Sequence, residues 1–154
     1  MKSHLITTIA ILIMFLGVLV SARAEILGDY LGASACMECH EDVVAGWKTT
    51  AHARAFENLK TQGPGKQSNP GCVECHVVAF EQDGGFIDMD LTPELKDVQC
   101  ESCHGPGRGH VESGGDPSMI SGKPGETVCR ACHTEGQDKN FDYSVKSKFV
   151  HGAN

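Results

Sequence analysis

The 154-residue chain carries 20 acidic residues against 13 basic ones, a formal net charge of −7, so nucleic acid and anionic membrane surfaces are poor partners. Leu, Ile, Val and Phe number only 23 among residues 25–154, or 18 %, too few for a self-sufficient apolar core at this charge. Something else must supply the missing bulk, and the eight cysteines offer two routes: disulfides or a cofactor.

In chain order, the first segment reads as a signal peptide. Lys2 precedes an apolar run from Leu5 to Val20, broken only by Thr7, Thr8 and Gly17, and Ala22-Arg23-Ala24 forms a small-x-small cleavage site. The run is short for a span of about 20 apolar residues. Cleavage after Ala24 leaves residues 25–154 as one exported domain, with a periplasmic location expected and no membrane span. Its balance is 11 basic against 20 acidic residues, a formal charge of −9.

A helix is predicted from Glu41 to Lys60, where Val43, Trp47, Ala51, Ala55 and Leu59 recur every four residues, and Thr61-Gln-Gly-Pro-Gly65 ends it. Residues 77–90 suit short strands or an extended hairpin around Asp83-Gly84-Gly85. Gly and Pro between residues 105 and 125 predict loop with a short helical turn, and a second short helix is expected from Tyr143 to His151. The fold class is mainly α and loop-rich, with little sheet.

All eight cysteines fall in one motif used four times: Cys36-Met-Glu-Cys39-His40, Cys72-Val-Glu-Cys75-His76, Cys100-Glu-Ser-Cys103-His104 and Cys129-Arg-Ala-Cys132-His133. C-x-x-C-H is the attachment signature of c-type haem. Two thiols form thioethers with the two vinyl groups of the porphyrin, and the adjacent His binds iron from the proximal side. Four disulfides would leave a His after every second Cys unexplained. Zinc ribbons need no His there, and thioredoxin-like redox chemistry wants a βαβ setting that is missing. Four covalent haems c also resolve the composition, because the porphyrins become the core.

Each iron has a second axial position. His40, His76, His104 and His133 fill the proximal sites, and His4 leaves with the signal peptide. His52, His110 and His151 remain for four irons, so one haem must differ from the other three. His52 lies twelve residues beyond His40, roughly 18 Å along a helix, and therefore suits another haem. His110 follows His104 through Gly105-Pro-Gly-Arg-Gly109, an arm too short to travel round one porphyrin. His151 competes with the reading of a frayed tail. Met89 and Met119 are alternative ligands for the odd iron, whereas Met37 sits inside a motif. Arg108 is a candidate partner for a propionate.

With these residues in view, the chain resembles the tetrahaem cytochrome c-554 family. The likeness runs from Cys36-Met-Glu-Cys-His40 to Trp47-Lys-Thr-Thr-Ala-His52, through Cys72-Val-Glu-Cys-His76 and Gly84-Gly85-Phe86. It continues in Cys100-Glu-Ser-Cys-His-Gly-Pro-Gly-Arg108 with His110, and in Cys129-Arg-Ala-Cys-His133 with Phe141-Asp142 and Val150-His151. The resemblance implies a mostly helical fold with closely stacked haems and an electron-carrying role. It implies that His110 caps the haem of His40, His52 that of His104 and His151 that of His133, leaving the haem of His76 without a protein ligand on its distal side. The acidic balance departs from the Lys-rich family member of ammonia oxidisers, which takes electrons from hydroxylamine oxidoreductase, and calls for redox partners with a basic docking surface. No conventional enzyme constellation is visible. Small-molecule chemistry, such as nitric oxide reduction, at the haem of His76 and assembly into a haem filament are the competing functions.

Overall fold

The protein is described by a computed structural model over residues 29–152; the predicted signal peptide lies outside them. Among the described residues the helices are short and follow in the order α1 (Ala33–Cys36), α2 (Glu41–Trp47), α3 (Ala55–Thr61), α4 (Pro70–Val73), α5 (Cys100–His104), α6 (Arg108–Glu112), α7 (Glu126–Arg130) and α8 (Tyr143–Lys146). Helices α1, α4, α5 and α7 each hold the first cysteine of a motif. A helical turn suits the C-x-x-C spacing because residues i and i+3 lie on one face. Local signals set several ends. Asn69 caps α4 by accepting the Gly71 N–H at 3.0 Å with Pro70 in the first turn, and Asp142 caps α8 through the Ser144 N–H at 2.9 Å.

The predicted helix from Glu41 to Lys60 is broken in two. The chain leaves α2 at Lys48, turns through a 3-10 segment at His52–Arg54 and resumes as α3. The break has a local cause. The hydroxyls of Thr49 and Thr50 donate to the carbonyls of Gly46 and Trp47 at 2.7 Å, and their backbone N–H groups bond to the same oxygens, so both residues tighten the turn and compete with the α-helical ladder. The predicted hairpin over residues 77–90 forms no strands. One antiparallel bridge pairs Val77 with Lys96, and the Phe86 N–H donates to the Val78 carbonyl at 2.9 Å. Positive φ at Ala79 (50°), Glu81 (60°) and Gly84 (74°) coils the intervening loop. Gly85 is pressed so closely on the Ala79 carbonyl that a Cβ there would lie 1.8 Å from the oxygen. The loop between residues 105 and 125 carries α6 and a 3-10 turn at Pro117–Met119, and the C-terminal helix is α8 followed by a 3-10 turn at Ser147–Phe149.

The chain's own apolar core is small and local. Phe56, Leu59, Val73, Val77, Val78, Phe86 and Leu95 form it, with Tyr30, Cys72, Ala79 and Phe80 against its edge. It surrounds the second motif. Elsewhere the polypeptide is held by buried polar groups. Glu101, within the third motif, is 4 % exposed, and its carboxylate accepts the N–H groups of Leu31 (3.0 Å), Gly32 (2.8 Å) and Gly107 (2.8 Å). Gln99 accepts the Ala33 N–H and donates to the carbonyls of Glu94 (2.7 Å) and Lys96 (2.5 Å). Asp97 accepts the Phe56 N–H at 2.9 Å. The N-terminal segment, α5 and the arm leading to α6 are thereby one unit.

Two stability predictions follow from these carboxylates. Replacing Glu101 by Gln turns an amide N–H2 toward backbone donors and leaves at least one buried N–H unpaired, so thermal unfolding of the holoprotein should show a loss of about 3 kcal/mol. Asp97 behaves in the opposite sense. Burial raises its pKa above the ordinary carboxylate value, outweighing the Phe56 hydrogen bond that lowers it. A carboxyl raised on folding contributes stability that is complete at low pH and is lost as pH rises toward the folded pKa. Asp97→Asn keeps an acceptor for Phe56 without the buried charge, so its melting temperature should match or exceed that of the parent at pH 7, with the gap narrowing as the pH falls toward 4.

Candidate haem-binding centres

The seven histidines among the described residues fall into three facing pairs and one remainder. His40 and His110 have ring centres 6.3 Å apart with an interplanar angle of 18°, His104 and His151 are 6.2 Å apart at 16°, and His52 and His133 are 6.0 Å apart at 62°. Two imidazoles bound to opposite sides of one iron have ring centres about 6 Å apart: two metal–nitrogen bonds of about 2 Å, plus about 1 Å from each nitrogen to its ring centre. The gap in each pair therefore fits an iron in the plane of a porphyrin. Among the described residues His76 faces no second histidine ring.

Hydrogen bonds at Nδ1 fix most of these rings and leave Nε2 for metal, the usual arrangement of a ligating histidine. His76 Nδ1 lies 2.5 Å from the Ala55 carbonyl oxygen, His104 Nδ1 2.5 Å from that of Ser121, and His110 Nδ1 2.9 Å from that of Asp116. His133 Nδ1 lies 3.0 Å from Oδ2 of Asp138. Burial, with the neighbouring His133 and His104 contributing second, holds His52 and His151 below the ordinary histidine pKa. Both are then neutral at pH 7, the form that donates a lone pair to a metal.

The C-terminal segment is anchored rather than frayed. A Cβ on Gly46 would lie 2.1 Å from the His151 carbonyl oxygen, and one on Gly152 would lie 2.5 Å from the Gly46 carbonyl oxygen. Two glycines let the tail lie directly on the end of α2. The indole N–H of Trp47 donates to the Val98 carbonyl at 3.0 Å, two residues before Cys100, so the tail is delivered to the third motif. His151 faces His104, and His52, released by the broken helix, faces His133, whereas the resemblance implies His52 with His104 and His151 with His133. His110 faces His40.

The eight cysteines are free of disulfides. Cys36 lies close to Cys100, Cys75 lies close to Cys132, and Cys103 is near both Cys129 and Cys132. In space the motifs therefore follow in the order first, third, fourth, second. No group of three or more His, Cys, Asp or Glu among the described residues converges to hold a bare metal ion, unlike a zinc ribbon with its four ligands. Of the methionines, Met119 sets its Cε against Gly109, beside His110, and Met37 and Met89 are exposed. Arg108 pairs with Glu112 at 3.4 Å. Sequence reasoning passed over Asp138, Glu101 and the Gly46–Gly152 contact. An acid five residues after a motif histidine was the available signal for Asp138. The carbonyls that hold His76, His104 and His110 leave none.

Among the described residues no helix is long and apolar enough to cross a membrane. Residues 35–105 match the family described as cytochrome c554 and c-prime. The chain is 37 % identical over 127 residues to cytochrome c-554 of Nitrosomonas europaea, covering 72 % of this chain and 53 % of that protein, so it spans about half the relative's length. Over 86 residues it is 31 % identical to the multiheme cytochrome MtrA of Shewanella baltica, covering 47 % of this chain and 25 % of the other. The solved structure of reduced cytochrome c554 from Nitrosomonas europaea superimposes with a TM-score of 0.52 at 30 % identity, covering 81 % of this chain and 78 % of that one. Paired imidazoles an iron's span apart, each beside a thiol pair of the right spacing, have the same explanation as these matches: the chain carries four covalent c-type haems and belongs to the cytochrome c554 family.

Proposed function

We propose that the protein is an exported electron-transfer relay in which three haems are bis-histidine and the fourth is open on its distal side. The observation that carries this reading is the set of three histidine pairs at 6.0–6.3 Å with His76 left over. When bound, the haems supply one-electron redox chemistry, with potentials set by axial ligands, hydrogen bonds and burial. The chain's own residues do the rest. His40 with His110, His104 with His151 and His133 with His52 would bind three irons, and His76, held by the Ala55 carbonyl, would bind the fourth from one side. The closeness of the cysteines supports a path through the motifs in the order first, third, fourth, second, with the proposed open site at one end. The signal peptide and the periplasmic location remain part of this proposal, as does a partner with a basic docking surface, which the net charge of −7 favours.

A second reading gives the haem of His76 its own chemistry. It is favoured by the lack of a facing imidazole, since an open position is where a small molecule such as nitric oxide binds. Turnover of nitric oxide or hydroxylamine by the purified protein would establish it.

Carbon monoxide added to the dithionite-reduced holoprotein should bind about one haem in four, and the oxidised protein should show one high-spin ferric signal by low-temperature EPR. If every haem is low-spin and none binds the gas, the assignment of an open site is wrong. The low-spin signals should divide two to one. Near-parallel imidazole planes split the iron d orbitals that accept their π electrons, and near-perpendicular planes leave them almost degenerate, so the His52–His133 centre should give the most anisotropic signal. Gly46→Ala pushes a Cβ onto the His151 carbonyl and displaces the tail. A second haem should then bind carbon monoxide, at least tenfold more of it becoming high-spin than in the parent; an unchanged gas stoichiometry would count against His151 as a ligand.

A further inference from the structure

We propose that Asp138 is a positioning residue that, through the Nδ1–H of His133, lowers the reduction potential of the haem attached to Cys129 and Cys132. The inference rests on the reading that His133 and His52 ligate that haem.

The four ring nitrogens with acceptors are not equivalent. His76, His104 and His110 each donate to a backbone carbonyl, whereas His133 donates to a carboxylate oxygen at 3.0 Å. A carbonyl is a neutral acceptor. An ionised carboxylate draws the Nδ1 proton toward itself, gives the ring imidazolate character and makes Nε2 a stronger donor. A stronger donor stabilises ferric over ferrous iron, because the oxidised metal carries the extra positive charge. The same ring is clamped from a second side. Phe141 stacks on His133 with centroids 4.5 Å apart at 21°, and the Arg130 guanidinium covers the Phe141 ring at 4.8 Å. Arg130 is itself paired with Glu126 at 3.0 Å and donates to the Phe141 carbonyl at 3.2 Å, so its charge is largely answered within the cluster. Asp138 and Phe141 together hold the His133 plane, the one that stands at 62° to its facing ring. The Asp138 N–H donates to the Thr134 carbonyl at 2.8 Å, and the Phe141 N–H to the Asp138 carbonyl at 3.1 Å, so the loop from His133 to Phe141 is built to carry both residues.

In the spatial order of the motifs the fourth lies between the third and the second. A depressed potential there divides the relay. An electron resting on that centre is driven either back toward the two paired centres or onward to the open one.

The test is an EPR-monitored redox titration of the holoprotein and of Asp138→Asn, Asp138→Ser and Asp138→Glu. In the parent the most anisotropic low-spin signal identifies the His52–His133 centre. Its absence would overturn the ligand assignment itself, separately from the role of Asp138. In Asp138→Asn and Asp138→Ser that signal alone should titrate at higher potential, with the ferrous-to-ferric ratio raised about tenfold at a given applied potential, about 59 mV for a one-electron couple. Asp138→Glu should stay close to the parent. A midpoint that does not move in the Asn and Ser variants, or an equal shift of all four haems, overturns the proposal. Failure of both to load four haems also overturns it, leaving Asp138 a role in assembly alone.

Discussion

The constraint on which the rest of this structure depends is a distance. Three times, imidazoles brought from remote parts of the sequence face each other across 6.0–6.3 Å, the gap of about 6 Å that the proposed bis-histidine ligation would require. The broken helix that frees His52, the glycine contact that seats the tail under His151 and the Asp116 carbonyl that steadies His110 all serve it. Among the described residues secondary structure is accordingly reduced to helices of one or two turns. A longer helix between Glu41 and Lys60 would gain hydrogen bonds but would fix His52 in the register of α2.

Most of the buried apolar residues gather in one place, around the second motif, where among the described residues no second imidazole faces His76. Around the third motif the packing is polar. Buried Glu101 and Gln99 bind backbone donors from two segments, residues 31–33 and Gly107, and no buried side-chain polar atom among the described residues lacks a partner. Such bonds are directional in a way that hydrophobic contact is not. They suit a protein whose largest apolar components are rigid discs that must be held in register with one another.

Much of the chemistry was legible in the sequence and much of the geometry was not. The four motifs are written in residue identity, and the count of three further histidines among the described residues is the basis for expecting one centre to differ from the others. The wider pattern of Trp47, His52, His110 and His151 carried the family. The facing of the rings was another matter: the resemblance implies His52 with His104 and His151 with His133, whereas the rings face as His52 with His133 and His151 with His104, and nothing in the spacing records that Gly46 lies under residue 151 or that Trp47 reaches Val98. Four-residue periodicity from Val43 to Leu59 was real, yet Val44, Phe56 and Leu59 are buried on two separate helices. Two threonine hydroxyls outweighed the period. The expected hairpin failed for a similar reason, since positive φ at Ala79 and Glu81 belongs to residue types that seldom announce it.

The interleaving of the three ring pairs bears on how such a protein is made. His40 waits for His110, His104 waits for His151, and His133 finds His52 far upstream. No pair can form until residue 110 has been made, the pair of His133 with His52 follows, and the pair of His104 with His151 waits for the tail. The facing rings are thus assembled late and by contacts of long sequence separation, the kind that form slowly because the intervening chain must first be ordered.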